Sequence, residues 1–345
     1  YEDVSRHFPQ GNIERVNAFF VKAKTTEDAT SETAVEAAEL LTEILNKNLT
    51  LEDLGLRLVP QASRDYISLE SEQLIISDLF TDAAMRGAKK LDWPYSRVMV
   101  YFGDEFTTVG KDDTLSMYST IAAVDFDEVS RPPFGPLLPA NAAKPKDFEV
   151  VVNDFFSRSL KIDVDDTMHV TYHKVGSHGK RPDGVTDFTV HSVVPMEGNA
   201  TASDKGMTPN VPGVTDAKRF QDWKRQPFPL DLRRISAADN KYFEQHGPLP
   251  KCFVNLETAS KLWKNRYGSL TSFRIAPRGD QDLDSSSADF AKSFLSELEP
   301  VDTGLIVRPV KYSGLQAASG TTDFSGLFFG FSFFVIASAM ILIGL

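Results

Sequence analysis

Cysteine is almost missing: Cys252 is the only one in 345 residues. A single thiol excludes an intrachain disulfide and any cysteine-rich zinc site. A lone cysteine, if buried, behaves as a small hydrophobe. Several catalytic signatures are also absent. No G-x-x-x-x-G-K followed by Ser or Thr occurs, so the chain carries no P-loop ATPase. Neither a G-x-S-x-G elbow nor an H-E-x-x-H pair is found. Basic residues are in deficit, with 37 Lys and Arg against 48 Asp and Glu, for a net charge of −11. That balance argues against nucleic acid, whose phosphates attract Lys and Arg. It argues equally against broad docking on an anionic lipid surface. Solubility is the ordinary reading of such a charge.

Long apolar runs are scarce, with one exception. Residues 324–345 read FSGLFFGFSFFVIASAMILIGL and hold no charged residue. A helix of about 20 residues spans the hydrocarbon core of a bilayer. Gly326, Gly330, Ser332, Ala337, Ser338 and Ala339 interrupt the bulky residues, as suits close helix approach in lipid. A buried core helix is the alternative. The length of the run and its lack of a polar face favour the membrane. The chain starts at Tyr1 rather than Met, and the run reaches the last residue, Leu345. Both ends are therefore expected to be cuts through a longer chain, the second inside a transmembrane helix. Residues 1–322 are expected to lie outside the bilayer.

What remains is rich enough to fold. Hydrophobic residues make up 41% and aromatic residues 11%, ample for sizeable cores, and the length leaves room for two or more domains. Two segments resemble each other. Residues 16–21 (VNAFFV) alternate as a strand does. A helical stripe of Val35, Ala38, Leu41 and Leu45 follows, with Thr33 and Glu36 as a capping box. The segment ends in D-L-G-L-R-L-V-P at 53–60. The second begins with the strand 270–275 (LTSFRI). Helix caps are expected at Ser285–Ser287, then a stripe of Phe290, Phe294, Leu295 and Leu298, and D-T-G-L-I-V-R-P closes it at 302–309. Both read as β-α-β units.

Between them, residues 65–77 predict a strand pair and 93–102 a strand after a turn. Residues 131–145 are proline-rich and predict a linker. Apolar runs at 148–152, 168–172 and 188–194 predict strands. Residues 196–250 read as a long ordered loop pinned by Trp223, Phe228 and Leu230. Residues 251–254 and a helix over 256–263 capped by Asn255 complete the series. The expected fold class is α+β: mixed α/β lobes with repeated β-α-β units, then the start of a transmembrane helix. The expected divisions are 1–60, a β-α-β unit of the first lobe; 61–135, a β-rich insert and linker; 136–250, a second β-rich lobe with the long loop; 251–322, a β-α-β-α-β unit; and 323–345, the membrane helix.

Candidate sites are few. His169 and His173 share one face of a strand, and His178 follows; these three are the best metal candidates, but a solvated strand face accounts for them with nothing further. Asp163, Asp165 and Asp166 lack the alternating ligands and ordered Gly of a calcium loop and read as a turn. Arg278-Gly279-Asp280 reads as loop. Asp222 and Trp223, with Asp231, Arg233 and Arg234, are candidates for a buried ion-pair network holding the long loop. No catalytic residue, cofactor or metal site is assigned, and no enzymatic activity is expected.

Several stretches carry a family likeness. They are VVPMEGNATASDKGMTPNVPGVTDAKRFQDWKRQPFPLDLRRI at 193–235, PLPKCFVNLETASKLWKNRYGSLTSFRI at 248–275, LEDLGLRL at 51–58 and GTTDFSGLFFGFSFFVIASAMILIGL at 320–345. With these, the chain resembles the FtsX-like, MacB/LolCE-type ABC-transporter permeases, in a large-ectodomain branch associated with planctomycete-type bacteria. Asn153-Asp154-Phe155-Phe156 and Leu160 look like the family's way into the second lobe, but Asp165-Asp166 stands where a Gly-Asp turn is usual. The resemblance implies a subunit of the bacterial inner membrane with residues 1–322 periplasmic, a helix before the domain and three from residue 324 onward. It implies a separate cytoplasmic ATPase, a second permease copy in a homo- or heterodimer, contact with lipid and none with nucleic acid. The ectodomain would pass on conformational change, moving a lipophilic or lipoprotein-like cargo or signalling in the cell envelope. An anchored binding or scaffold module without transport is the alternative.

Overall fold

The computed structural model of the chain describes Val21 and residues 31–176, 181–223, 230–279, 281–318 and 324–345. It divides into two compact units. One is Leu49–Thr303; the other combines Tyr1–Asn48 with Gly304–Leu345.

In the larger unit, apolar alternation and capped helices set the elements. In chain order they are β1 (Leu56–Gln61), β2 (Tyr66–Ser71), a helix over Asp78–Lys90, β3 (Tyr95–Thr108), β4 (Ser116–Val124) and β5 (Glu149–Asn153). A helix over Asp154–Leu160, β6 (Thr167–His173), β7 (Asp183–Val194), a helix over Ala237–His246 and β8 (Cys252–Asn255) come next. A helix over Leu256–Trp263, β9 (Ser272–Ile275) and a helix over Leu283–Leu295 end the series. With a helix over Ser31–Asn48 in the smaller unit as α1, these five helices are α2 to α6 in order. Each of α2 to α6 has a side-chain N-cap: Ser77, Asn153, Ser236, Asn255 and Asp282 accept backbone N–H bonds from the first turn. Such caps satisfy donors a helix start leaves open.

Among the described residues, nine strands form one sheet in the order β1-β2-β9-β3-β4-β8-β5-β7-β6. The 14-residue β3 is long enough to serve twice. Its first part pairs with β9 through Tyr95–Val98, and its last part pairs with β6 through Glu105–Thr108. The second pairing closes β3-β4-β8-β5-β7-β6 on itself as a six-stranded barrel, which leaves those strands no open edge. Met99, Phe106, Ile121, Val152, Phe188 and Cys252 belong to the core of that closed part, with Phe156 of α3 and Trp263 of α5. A second core gathers Leu69, Phe273, Phe290 and Phe294 where α2 and α6 cover β1, β2 and β9. A third holds Val98, Val124, Phe134, Leu137 and Tyr242.

The mixed α/β class is as expected, and so are the strands at 149–153, 167–173 and 183–194, the Asn255 cap and the Phe290/Phe294 stripe. Other expectations need correction. Residues 305–309 are not a strand; α7 (Val310–Ala318) follows directly, and Leu305 and Ile306 are exposed. The matching segment does become a strand, because β1 meets β2 as a hairpin partner a few residues on. Of the pair expected at 65–77 only β2 forms, Ile76 contributing a single bridge to Leu270. The start of α6 is capped by Asp282, not by Ser285–Ser287. Residues 131–145 are not a free linker, since Phe134 and Leu137 are buried in the core. The divisions at 60, 135 and 250 do not separate compact bodies, for one sheet runs through all three. The strand expected at 16–21 lies outside the described residues, save Val21, which is exposed.

In the smaller unit, α1 and α7 lie against each other. Beyond them, α8 (Phe324–Gly344) is a 21-residue helix. It is long and apolar enough to cross a membrane, with a mean hydropathy of 2.4 over Ser325–Gly344 and none of that window buried.

Candidate functional site

The most enclosed candidate lies where β3 and β4 lose their regular pairing. Pairing keeps one register from Val98 opposite Val124 to Phe106 opposite Ser116, but Asp104 and Tyr118 in its middle do not pair. The inward side changes across this interruption: Met99 belongs to the barrel core before it and Phe106 after it. Gly103 sits beside the interruption, where a Cβ would stand 2.3 Å from the Phe106 ring. On β4, Tyr118 takes φ +52°, a left-handed conformation that costs a bulky residue on the order of 1–3 kcal/mol. Its surroundings hold it there. The ring packs on Phe102 and Phe220, and its hydroxyl accepts the Asp231 backbone N–H at 2.8 Å.

Over this interruption the long loop and α4 fold back and enclose a cavity of about 700 Å³. That is within the size range of small-molecule sites. Its wall is aromatic, built from Tyr101, Phe102, Tyr118, Phe220, Trp223 and Phe243. Trp223 is 6% exposed, and its indole N–H has no hydrogen-bond partner among the described residues. Asp104 reaches the cavity from β3. One of its carboxylate oxygens is buried without a partner among the described residues. The other is 3.5 Å from His173 Nε2. Burial pushes the Asp104 carboxyl up to about 6; His173 opposes this and Asp183 adds to it. Burial also pushes the Tyr101 phenol up to about 12.

Two buried ion pairs fix the loop above the sheet. Lys251 and Asp239, 3% and 1% exposed, meet at 2.7 Å. Asp239 also accepts from the Ser116 hydroxyl, the Ser236 hydroxyl at 2.8 Å and the Met117 N–H at 3.2 Å. Burial opposes its charge, but Lys251 and these hydrogen bonds outweigh that and hold the carboxyl below its ordinary range. The Lys251 ammonium also sits 5.0 Å from the Tyr242 ring centre, a favourable cation–π distance. In the second pair, Arg274 on β9 meets Asp204 of the loop at 3.1 Å, and Asp204 accepts the Tyr66 hydroxyl at 2.8 Å. Both pairs escape a reading of the chain by loop composition. Their one signal is a charge set among apolar residues: Arg274 between Phe273 and Ile275, Lys251 just before Cys252-Phe253-Val254.

The residues singled out earlier fall elsewhere. Asp231, Arg233 and Arg234 form no buried network. Arg233 pairs with Asp231 at the surface, its side chain 92% exposed, and Arg234 pairs with Glu105 at 2.6 Å. Arg234 reaches β3 there, but both partners of that pair stay partly exposed, whereas Asp204 and Asp239 are buried. His169 and His173 do share a face of β6, each opposite an aspartate of β7: Asp187 at 2.6 Å and Asp183 at 2.9 Å. His178 lies outside the described residues. Among the described residues no group of three His, Cys, Asp or Glu is placed to hold a metal ion. Asp163–Asp166 makes the turn into β6, with Asp166 accepting the Asp163 N–H at 2.7 Å. Arg278 pairs with Asp92 at the surface, and Asp280 lies outside the described residues. A second, polar groove of about 480 Å³ includes Arg97, Asp125, Lys144 and Glu257, and Arg97 is taken up by Asp125 and Glu128.

No family model matches the chain, and no curated protein does. Among solved structures it is similar to the periplasmic region of MacB from Actinobacillus actinomycetemcomitans. The identity is 12% and the TM-score 0.30, over 69% of this chain and 83% of that one. A likeness so distant passes on no function.

Proposed function

We propose that the chain is the extracytoplasmic domain of an ABC-transporter permease subunit, held to the bacterial inner membrane by α8. One observation carries the membrane part of this reading. Twelve large apolar side chains from Leu327 to Ile343 are exposed on α8. At about 1.5–3 kcal/mol each, leaving them in water forgoes roughly 20–35 kcal/mol. Lipid removes that cost. The sequence likeness of 193–235 and 248–275 to FtsX-like, MacB/LolCE-type permeases supplies the transporter part.

In this reading the chain performs no covalent chemistry of its own. ATP hydrolysis would occur on a separate cytoplasmic subunit, which supplies the P-loop this chain lacks. A second permease copy would complete the assembly. The domain would then relay movement to a lipophilic or lipoprotein-like cargo, or to a cell-envelope partner. The cavity beside Tyr118 favours a second reading, an anchored binding module without transport.

Purification of the full-length protein from membranes separates the two. A transporter subunit stays with the membrane through alkaline carbonate extraction and copurifies with a P-loop ATPase whose hydrolysis depends on it. Release by carbonate refutes both readings. Retention without any ATPase leaves the binding module.

A further inference from the structure

We propose that the cavity between the interrupted β3–β4 pairing and the long loop binds a long-chain carboxylate, with its tail against the aromatic wall and its acid group at a basic mouth. The inference goes beyond the permease reading and does not need it.

Shape and chemistry select this ligand class. The wall facing the space is aromatic and aliphatic, and it meets a ligand body by dispersion and exclusion of water. The mouth carries charge of the opposite sign to the chain. Over the whole sequence acids exceed bases by 48 to 37. The charged residues lining the cavity are Lys174, Arg181, Lys251 and Arg266 against Asp104 and Asp239. Beyond the Lys251–Asp239 pair, Lys174 and Arg266 alone outnumber the one other carboxylate of the lining, Asp104. Lys174, Arg181 and Arg266 are exposed and so mark the opening, where an anionic head would rest. Trp223, 6% exposed, completes the aromatic wall. The unpaired Asp104 and Tyr118, with the positive φ of Tyr118, interrupt the regular alternation of side chains along β3 and β4 beneath the cavity.

The test uses the full chain in nanodiscs of zwitterionic lipid with palmitic acid bearing a diazirine. After irradiation, labelled peptides are mapped by mass spectrometry. Labelling is expected within 99–120 and 208–223, and an excess of unlabelled palmitate should abolish it. Val214→Trp, which fills the cavity, should abolish it too, provided the thermal transition of the variant matches the parent. Lys174→Glu with Arg266→Glu should weaken competition by palmitate about tenfold, the effect of roughly 1.4 kcal/mol, and leave hexadecanol unchanged. Label confined to 324–344 overturns the proposal. So does equal competition by palmitate, hexadecanol and hexadecyltrimethylammonium. A chain that binds palmitate in this way but recruits no ATPase keeps the inference and loses the permease reading; an ATPase-coupled chain labelled only in its membrane helix does the reverse.

Discussion

Lys251→Met should destabilise the protein by about 3–5 kcal/mol, the usual cost of stripping one partner from a buried ion pair. The structure explains the size. Lys251 and Asp239 are almost wholly buried and 2.7 Å apart. Methionine has nearly the same length as the lysine stem, so packing against Tyr242 and Phe156 is largely kept. What is lost is the cation beside the Asp239 carboxylate. Asp239→Asn should cost a similar amount, because it strands the ammonium instead. The double variant should recover most of the loss. The asparagine amide oxygen can still accept from Met117 and Ser236, and no charge remains. A coupling of at least about 2 kcal/mol is therefore expected, toward the upper end for residues in direct contact. Urea unfolding of the full chain, followed by tryptophan fluorescence and circular dichroism, measures all four corners. The pH dependence gives a second check. A carboxyl held below its unfolded value of about 3.9 stabilises above that pH, and the contribution is lost as pH falls through the folded value. Removing Lys251 should bring acid unfolding on at higher pH. If the single losses simply add in the double variant, the pair is not the element that pins α4 to β4 and β8.

Three further outcomes follow from other parts of the molecule. The Asp104 carboxyl is raised to about 6 by burial, so between about pH 4 and 6 the folded state holds a proton the unfolded chain has lost, and stability falls as pH rises; Asp104→Asn should flatten that limb in pH-resolved thermal melts. Gly268 has φ +144°, and a Cβ there would stand 1.9 Å from the Ile76 carbonyl oxygen, so Gly268→Ala should cost well over about 1 kcal/mol in the same urea assay, where a loss within about 0.5 kcal/mol would contradict the close approach. Phe334→Arg, near the centre of α8, should penalise membrane insertion by about 2.5–3.5 kcal/mol, read as a lower inserted fraction in a glycosylation-mapping assay; an unchanged fraction would place α8 outside the bilayer.

Much of the fold was legible because period and caps act locally. The alternation at 167–173 and the Asn255 cap need only near neighbours, and both appear in the structure. The closing strand expected at 305–309 fails for the opposite reason. Its pattern D-x-G-L-x-x-x-P is the same as at 53–60, yet only the earlier copy has a hairpin partner directly after it. A strand is a property of a pair, so the same letters give β1 in one place and an exposed connection in the other. Closure of the barrel was likewise out of reach. It depends on β3 extending through Thr108 to meet β6, which begins only at Thr167.

The cavity was the least legible feature, and the reason is physical. Its wall draws on β3, β4, the long loop and α4, each of which contributes aromatic residues that read singly as ordinary core. Two features gave no local signal: the missing pair of Asp104 and Tyr118 within an otherwise constant register, and the positive φ of Tyr118. Both are strained or irregular in isolation and persist because Phe102, Phe220 and the Asp231 N–H hold Tyr118 from three sides. The ion pairs Lys251–Asp239 and Arg274–Asp204 serve the same end, since each ties a loop or α4 residue to the sheet. An uncharged loop could bury as much apolar surface by collapsing onto β3 and β4 and filling the space. Paired charges instead fix where the loop may sit, and that arrangement keeps an aromatic pocket open above the interrupted β3–β4 pairing.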